Sequence, residues 1–201
     1  MKIILASGSP RRRELLKEIG LTFEIYKPNV DEARLPGEAP ENLCLRLSRL
    51  KALAGVKAFA GESPVPFVIA ADTMVVIDGD ILGKPHDHDE AFSMLNELQG
   101  REHEVITGMT IAHEEKIISH AEHSFVKFKP MTPEEICDYI STGECDDKAG
   151  AYAIQGKGSL LIEKIRGDYS NVVGLPLFAL GKIFREDFGE NLMRFVGPSN
   201  S

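Results

Sequence analysis

The chain predicts a mixed α/β fold, and three observations carry that expectation. Short apolar runs rich in β-branched residues alternate along the sequence with stretches of helical period. Two strand-like stretches flank Glu114-Glu115, which marks one antiparallel hairpin in the second half. The 201 residues are 43% hydrophobic and 27% charged, the make-up of a globular domain. A chain of this size buries about 70% of its unfolded surface and needs no staples.

The elements follow in order. Residues 2–6 read as a short buried strand, and residues 14–19 lie in an amphipathic helix that Gly20 stops. Residues 22–26 alternate as a second strand. A loop over 28–40 carries Asp31 and Glu32. Pro40 then opens a long helix to about residue 60, with Leu43, Leu47, Leu50 and Ala54 on one face. Residues 67–77 form a nearly continuous apolar run, the pattern of a central strand covered on both faces. Asp78-Gly79-Asp80 turns the chain into Ile81-Leu82. Asp87 with Glu90 resembles a capping box, followed by the stripe Ala91, Met94, Leu95 and Leu98. Residues 103–113 and 117–128 make the hairpin. Thr132, Pro133 and Glu135 start another helix, ending at Gly143. A glycine-rich segment, a strand over 160–165 and a helix from Pro176 to about residue 188 complete the domain. The remaining residues, 189–201, read as a loosely ordered tail.

Charge narrows the function. Lys and Arg total 23 against 31 Asp and Glu, a net charge of −8, which argues against a protein that coats nucleic acid or anionic membrane. No apolar run is long enough to span a bilayer, and the N-terminal segment lacks the form of a signal peptide. Cys44, Cys137 and Cys145 are odd in number and unevenly spaced, as expected of reduced thiols in the cytoplasm.

Against this acidic background, Ser7-Gly8-Ser9-Pro10-Arg11-Arg12-Arg13 stands out. Ser9 suits an N-cap and Pro10 the first helical position, so free N–H groups face forward there. Three arginines in that turn oppose the helix dipole at a cost of about a few tenths of a kcal/mol each. A polyanion such as a triphosphate over the turn would offset it; a solvated basic helix start is the alternative. Asp72 lies in the middle of the central apolar run, where a carboxylate needs a partner or a metal. Lys84, fixed between Gly83 and Pro85, could aim its ammonium at a pocket, while Lys51 has the ordinary look of a helix-face lysine. The run from Asp147 to Gly158 is glycine-rich, either for close approach of a ligand, with Gln155 reading a base edge, or as a turn around a short strand. P-loop, dinucleotide-fold and nucleophile-elbow motifs are absent, and the six histidines are too scattered for structural zinc.

Five motifs in one order, Ser7-Gly8-Ser9-Pro10-Arg11-Arg12, Ala71-Asp72-Thr73, Leu82-Gly83-Lys84-Pro85, Asp147-Lys148-Ala149-Gly150-Ala151-Tyr152 and Gly174-Leu175-Pro176, closely resemble the Maf family of nucleoside triphosphate pyrophosphatases. The resemblance runs from Ile3 to about Phe188, making residues 1–188 one domain. It implies a curved mixed β-sheet with flanking helices, inosine-triphosphate-pyrophosphatase-like, in two lobes around a nucleotide cleft. It also implies hydrolysis to the monophosphate and pyrophosphate with a divalent cation, Mg²⁺ or Mn²⁺. Asp72 matches the family's proton acceptor, and Ser7, Arg11, Arg12, Glu32, Lys51, Lys84 and Gln155 match its pocket. Glu32 and Asp72 would hold the metal. Arg11, Thr73 and Gln155 match the branch for dTTP and UTP, with canonical or modified pyrimidine triphosphates left open as the target; Met74, where a smaller β-branched residue is common, is a mild departure. The same chemistry on 7-methyl-GTP, or a non-catalytic nucleotide-binding regulator linked to cell division, are the competing expectations. No stable nucleic-acid or membrane partner is expected, and a homodimer is a family expectation only.

Overall fold

A computed structural model describes residues 1–197. Among the described residues seven strands form one mixed sheet: β1 (Ile3–Ala6), β2 (Glu24–Tyr26), β3 (Phe67–Ile77), β4 (Asp80–Leu82), β5 (Glu102–His113), β6 (Lys116–Phe128) and β7 (Ile162–Arg166). The order is β2-β1-β3-β5-β6-β7, with β4 paired to β3. Parallel pairing is confined to β1 with β2 and β3, and all other pairs are antiparallel. The expected hairpin is β5–β6, but antiparallel pairing extends beyond it to β3 and β7.

The helices are α1 (Pro10–Glu18), α2 (Pro40–Ala58), α3 (His88–Leu98), α4 (Pro133–Ile140), α5 (Tyr169–Val173) and α6 (Leu177–Asp187). Caps set their starts as the sequence suggests. Ser9 Oγ accepts from Arg12 N, Asp87 Oδ1 from Glu90 N, and Thr132 and Glu135 close a full capping box. At α3 the box is open, because Glu90 Oε2 takes the N–H of His86, at 2.6 Å, rather than that of Asp87. No helix among the described residues is long and apolar enough to cross a membrane.

Apolar clusters cover both faces of the sheet: Val68, Ala70, Met74 and Val76 pack beneath α2 on one face, and on the other the core divides along β3. One cluster there gathers Leu5, Leu16, Ile69, Ile111, Leu180 and Phe184 beneath α1 and α6. Another gathers Val75, Leu95, Phe128, Ile136 and Tyr152 beneath α3 and α4. Residues between them leave a gap in the sheet. The register of β3 with β1 ends at Ile69, and its register with β4 begins at Val75. Asp72 and Thr73 lie in that interval and are half-buried within an otherwise buried strand. A crevice therefore opens beyond the carboxyl end of β1, the position where open α/β sheets place ligands.

Four expectations need correction. On α2 the buried face is Leu43, Cys44, Leu47, Ser48, Lys51, Ala52 and Gly55, whereas Leu50 is 36% exposed and Ala54 half-buried. The helix turns its polar positions inward because β5 and β3 offer partners: Ser48 Oγ meets Thr110 Oγ1 at 2.8 Å, and Lys51 meets Asp72. Strand β7 begins at Ile162, with Leu160 77% exposed in a 3₁₀ turn. Short α5, capped by Asp168, was too brief for a periodic signal. Through Gly197 the expected loose tail is docked: Leu192 is buried, Val196 bridges Leu21, and Gly197 N donates to Gly20 O at 3.0 Å. Residues 198–201 of that tail lie outside the described residues.

Candidate active site

The crevice is a cleft of about 630 Å³, and the loop after β1, the start of α1, the 28–40 loop, α2, β3, the turn after β4 and the 147–154 segment line it. It brings together Ser7, Arg11, Arg12, Glu32, Lys51, Asp72, Thr73 and Lys84. Gln155 is not among the lining residues; it follows Ile154, which is. Arg13, the third arginine of the basic turn, does not line the cleft either.

Neighbouring strand residues point to opposite faces, and Asp72 and Thr73 do different work. Asp72 faces α2. The Lys51 ammonium lies 2.5 Å from Asp72 Oδ1 and 2.8 Å from Glu32 Oε1. The Lys51 side chain is 10% exposed and that of Asp72 14%, so their charges would be costly to leave unpaired. Lys51, placed in the pocket by family resemblance, pairs here with both carboxylates. Those carboxylates come from separate elements and both contact the Lys51 ammonium. That donor set suits a hard divalent ion, which takes one or two carboxylates and completes its shell with phosphate oxygens and water. Among the described residues no three His, Cys, Asp or Glu side chains are grouped to hold a metal unaided, so bound phosphate would have to supply the remaining ligands.

Thr73 faces α1 and α5. Arg12 is buried, and its guanidinium donates from Nε to Gly174 O at 2.8 Å, to Ser7 Oγ at 3.2 Å and to Thr73 Oγ1 at 3.0 Å. Thr107 Oγ1 donates to Asn171 O at 3.0 Å, so its contact with Thr73 at 2.9 Å must be a bond donated by the Thr73 hydroxyl. The chain of bonds runs from Arg12 through Thr73 and Thr107 to the backbone of α5. Burial lowers the Arg12 pKa, with Asp72 opposing the shift. Five guanidinium N–H groups less three bonds leave two for a ligand. Arg12→Lys keeps the charge but cannot satisfy three acceptors set apart as a fork. We expect it to cost about 1–3 kcal/mol of stability in urea denaturation; an unchanged midpoint would show that the fork is dispensable to the fold.

The outer cleft carries further charge. Arg11 is half-buried, and burial lowers its pKa while Asp147 opposes the shift. Asp147 also lines the cleft; its carboxyl is held below the usual range by a hydrogen bond from Lys148, with Arg11 and Lys84 adding to the effect. Its motif pointed to the segment but assigned Asp147 no role. Gly150 N donates to Gly83 O at 2.9 Å, which ties the Lys84 turn to that segment. Tyr152 forms part of the wall and meets buried His103 Nε2 at 2.8 Å through its hydroxyl. Burial pushes His103 down to about 4, so the ring is neutral at ordinary pH. His103, Thr107 and Asn171 carried no sequence signal, since only their cross-strand placement brings them beside the site.

A basic helix start, a strand carboxylate and a lysine-bridged acid pair around one crevice define an α/β protein whose cleft carries charges of both signs. The chain belongs to the Maf-like protein family, whose model matches residues 2–187. It is 48% identical over 96% of its length to a dTTP/UTP pyrophosphatase of Clostridioides difficile, covering 98% of that protein. It is 50% identical, again over 96% of its length, to a dTTP/UTP pyrophosphatase of a Thermoanaerobacter species, covering all of that protein. Among solved structures, the Staphylococcus aureus Ham1 protein is similar over 64% of this chain and 72% of its own, with a TM-score of 0.44 and 16% identity.

Proposed function

We propose that this protein is a nucleoside triphosphate pyrophosphatase acting on dTTP and UTP, its catalytic domain spanning residues 1–188. Water adds to the α-phosphorus, the bond from that phosphorus to the α–β bridging oxygen breaks, and the monophosphate and pyrophosphate leave. The observation that carries this reading is Asp72, a carboxylate set deep in a cleft whose rim is cationic and joined to Glu32 through the Lys51 ammonium. The names of the relatives agree with it.

Arg11, Arg12 and Lys84 neutralise the triphosphate, with the N–H groups at the start of α1. Ser7 and Gly174 orient the Arg12 guanidinium. Lys51 orients the Asp72 carboxylate, which accepts the proton of the attacking water. Glu32 and Asp72 would hold Mg²⁺ or Mn²⁺, and such an ion, when bound, withdraws charge from the phosphates and acidifies water. Thr73, fixed by its bonds to Arg12 and Thr107, shapes the cleft floor, and Gln155 reads the base.

The test is pyrophosphate release from dTTP, UTP, CTP, GTP and 7-methyl-GTP, with Mg²⁺ and with chelator. Release from dTTP and UTP, abolished by chelation, is the expected result. Turnover of 7-methyl-GTP alone would overturn the pyrimidine assignment, and tight binding without turnover would overturn the enzymatic one.

A further inference from the structure

The glycine-rich run ending in Gly156-Lys157-Gly158 already has its anion, and the anion is a side chain of the same protein. Glu144 Oε2 accepts from Lys157 N at 3.0 Å and Glu144 Oε1 from Gly158 N at 2.8 Å. Successive backbone N–H groups that cup a carboxylate form a nest. The glycines permit it: at Gly156, with φ +70°, a Cβ would lie 2.5 Å from Glu144 Oε2, and at Gly158 one would lie 2.1 Å from Ala153 O. A phosphate therefore has no room in this nest.

The clamp has a second end. Tyr139, on α4, donates its hydroxyl to Glu144 Oε1 at 3.1 Å and accepts from Ala153 N at 3.1 Å. One Tyr–Glu pair thus holds the segment from Ala153 to Gly158 at both ends. Ala153 and Ile154 form cleft wall, and Gln155 comes next. Among the described residues the Gln155 side chain makes no hydrogen bond that would fix it in place, so its position is set by the backbone that carries it.

We propose that Glu144 is a positioning residue for base recognition: through the nest and through Tyr139 it fixes the strap that presents Gln155 at the edge of the cleft. The inference rests on the reading of Gln155 in the proposed function.

The experiment compares kcat and KM for dTTP in the wild type, Glu144→Gln, Glu144→Ala, Gln155→Ala and the Glu144→Ala/Gln155→Ala double variant. Glu144→Ala is expected to raise KM about tenfold with kcat within about threefold, the split that marks lost uniform binding. Glu144→Gln keeps one oxygen acceptor and should fall between. In the double variant KM should equal that of Gln155→Ala alone, because residues acting through one another are not additive. A purely structural role would lower kcat as well, and full additivity would overturn the proposal. Amide hydrogen exchange at Lys157 and Gly158 supplies a readout without substrate: it should quicken in Glu144→Gln, and unchanged exchange would overturn the clamp. If Gln155→Ala leaves KM unaltered the proposal also falls, and the exchange result then shows whether the clamp or the Gln155 reading was at fault.

Discussion

Asp72→Asn is expected to lower pyrophosphate release by about 10²–10⁴-fold, the contribution of a positioned general base, while nucleotide binding persists. Asn retains an oxygen that can accept from Lys51, so the 2.5 Å contact that locks α2 to β3 has a replacement. The fold should survive, with a thermal midpoint near that of the parent. Removing one negative charge leaves Glu32 as the one carboxylate facing Lys51 and makes the cleft more cationic, so affinity for the triphosphate without metal should hold or rise. A fall in kcat without a rise in KM separates this from simple damage to the pocket. Calorimetric titration with dTTP alongside steady-state kinetics measures both. Near-parental turnover would remove Asp72 from the chemistry.

Much of the fold was legible because it depends on local signals. Ser9 and Pro10 placed the start of α1, Thr132 and Glu135 that of α4, and the nearly continuous apolar run of β3 gave its central position. Asp78 at φ 52° and Gly79 at φ 90° form the tight turn that Asp78-Gly79-Asp80 suggested. What stayed hidden depends on contacts between distant segments. The inward face of α2 includes Ser48 and Lys51, which hydropathy assigns to solvent, because their partners Thr110 and Asp72 lie on strands that no period reveals. The docking of Val196 on Leu21 is likewise a contact between chain ends.

The site divides in the same way. Asp72, Arg11 and Arg12 violate a local rule, a charge in an apolar strand or cations at a helix start, and such violations show in the sequence. Glu32 and Lys51 violate none; family resemblance alone pointed to them, and the structure then gave Lys51 a carboxylate partner at each side. Tyr139 and Glu144 look like an ordinary helix residue and a turn acid until the backbone of Lys157 and Gly158 is seen to fold around the carboxylate.

Gly108 belongs to the hidden class, and Gly108→Ala is expected to be the most damaging small substitution in the sheet. A Cβ there would lie 2.4 Å from both the carbonyl carbon and oxygen of Cys44 and 2.7 Å from Leu45 N. These are backbone atoms within α2 and cannot rotate aside, so the helix must lift from β5. Overpacking of this kind costs about 1–3 kcal/mol and sometimes more. Lys51 lies seven residues along the same helix, roughly 10 Å away, and Asp72 pairs directly with Gly108 across the sheet. Lifting α2 therefore disturbs the Lys51–Asp72 contact as well as the Ser48–Thr110 bond. Misplacement of a reacting group by about 1 Å can cost 10²-fold in rate, so activity should fall further than stability alone explains. Gly181→Ala supplies the contrast: in α6 a Cβ meets nothing within 4 Å, and helix propensity should add up to about 1 kcal/mol. Urea denaturation of both variants, with kinetics at a temperature where both are folded, reads the two signs together. Equal behaviour of the two would mean that the close approach of α2 to β5 does not set the site.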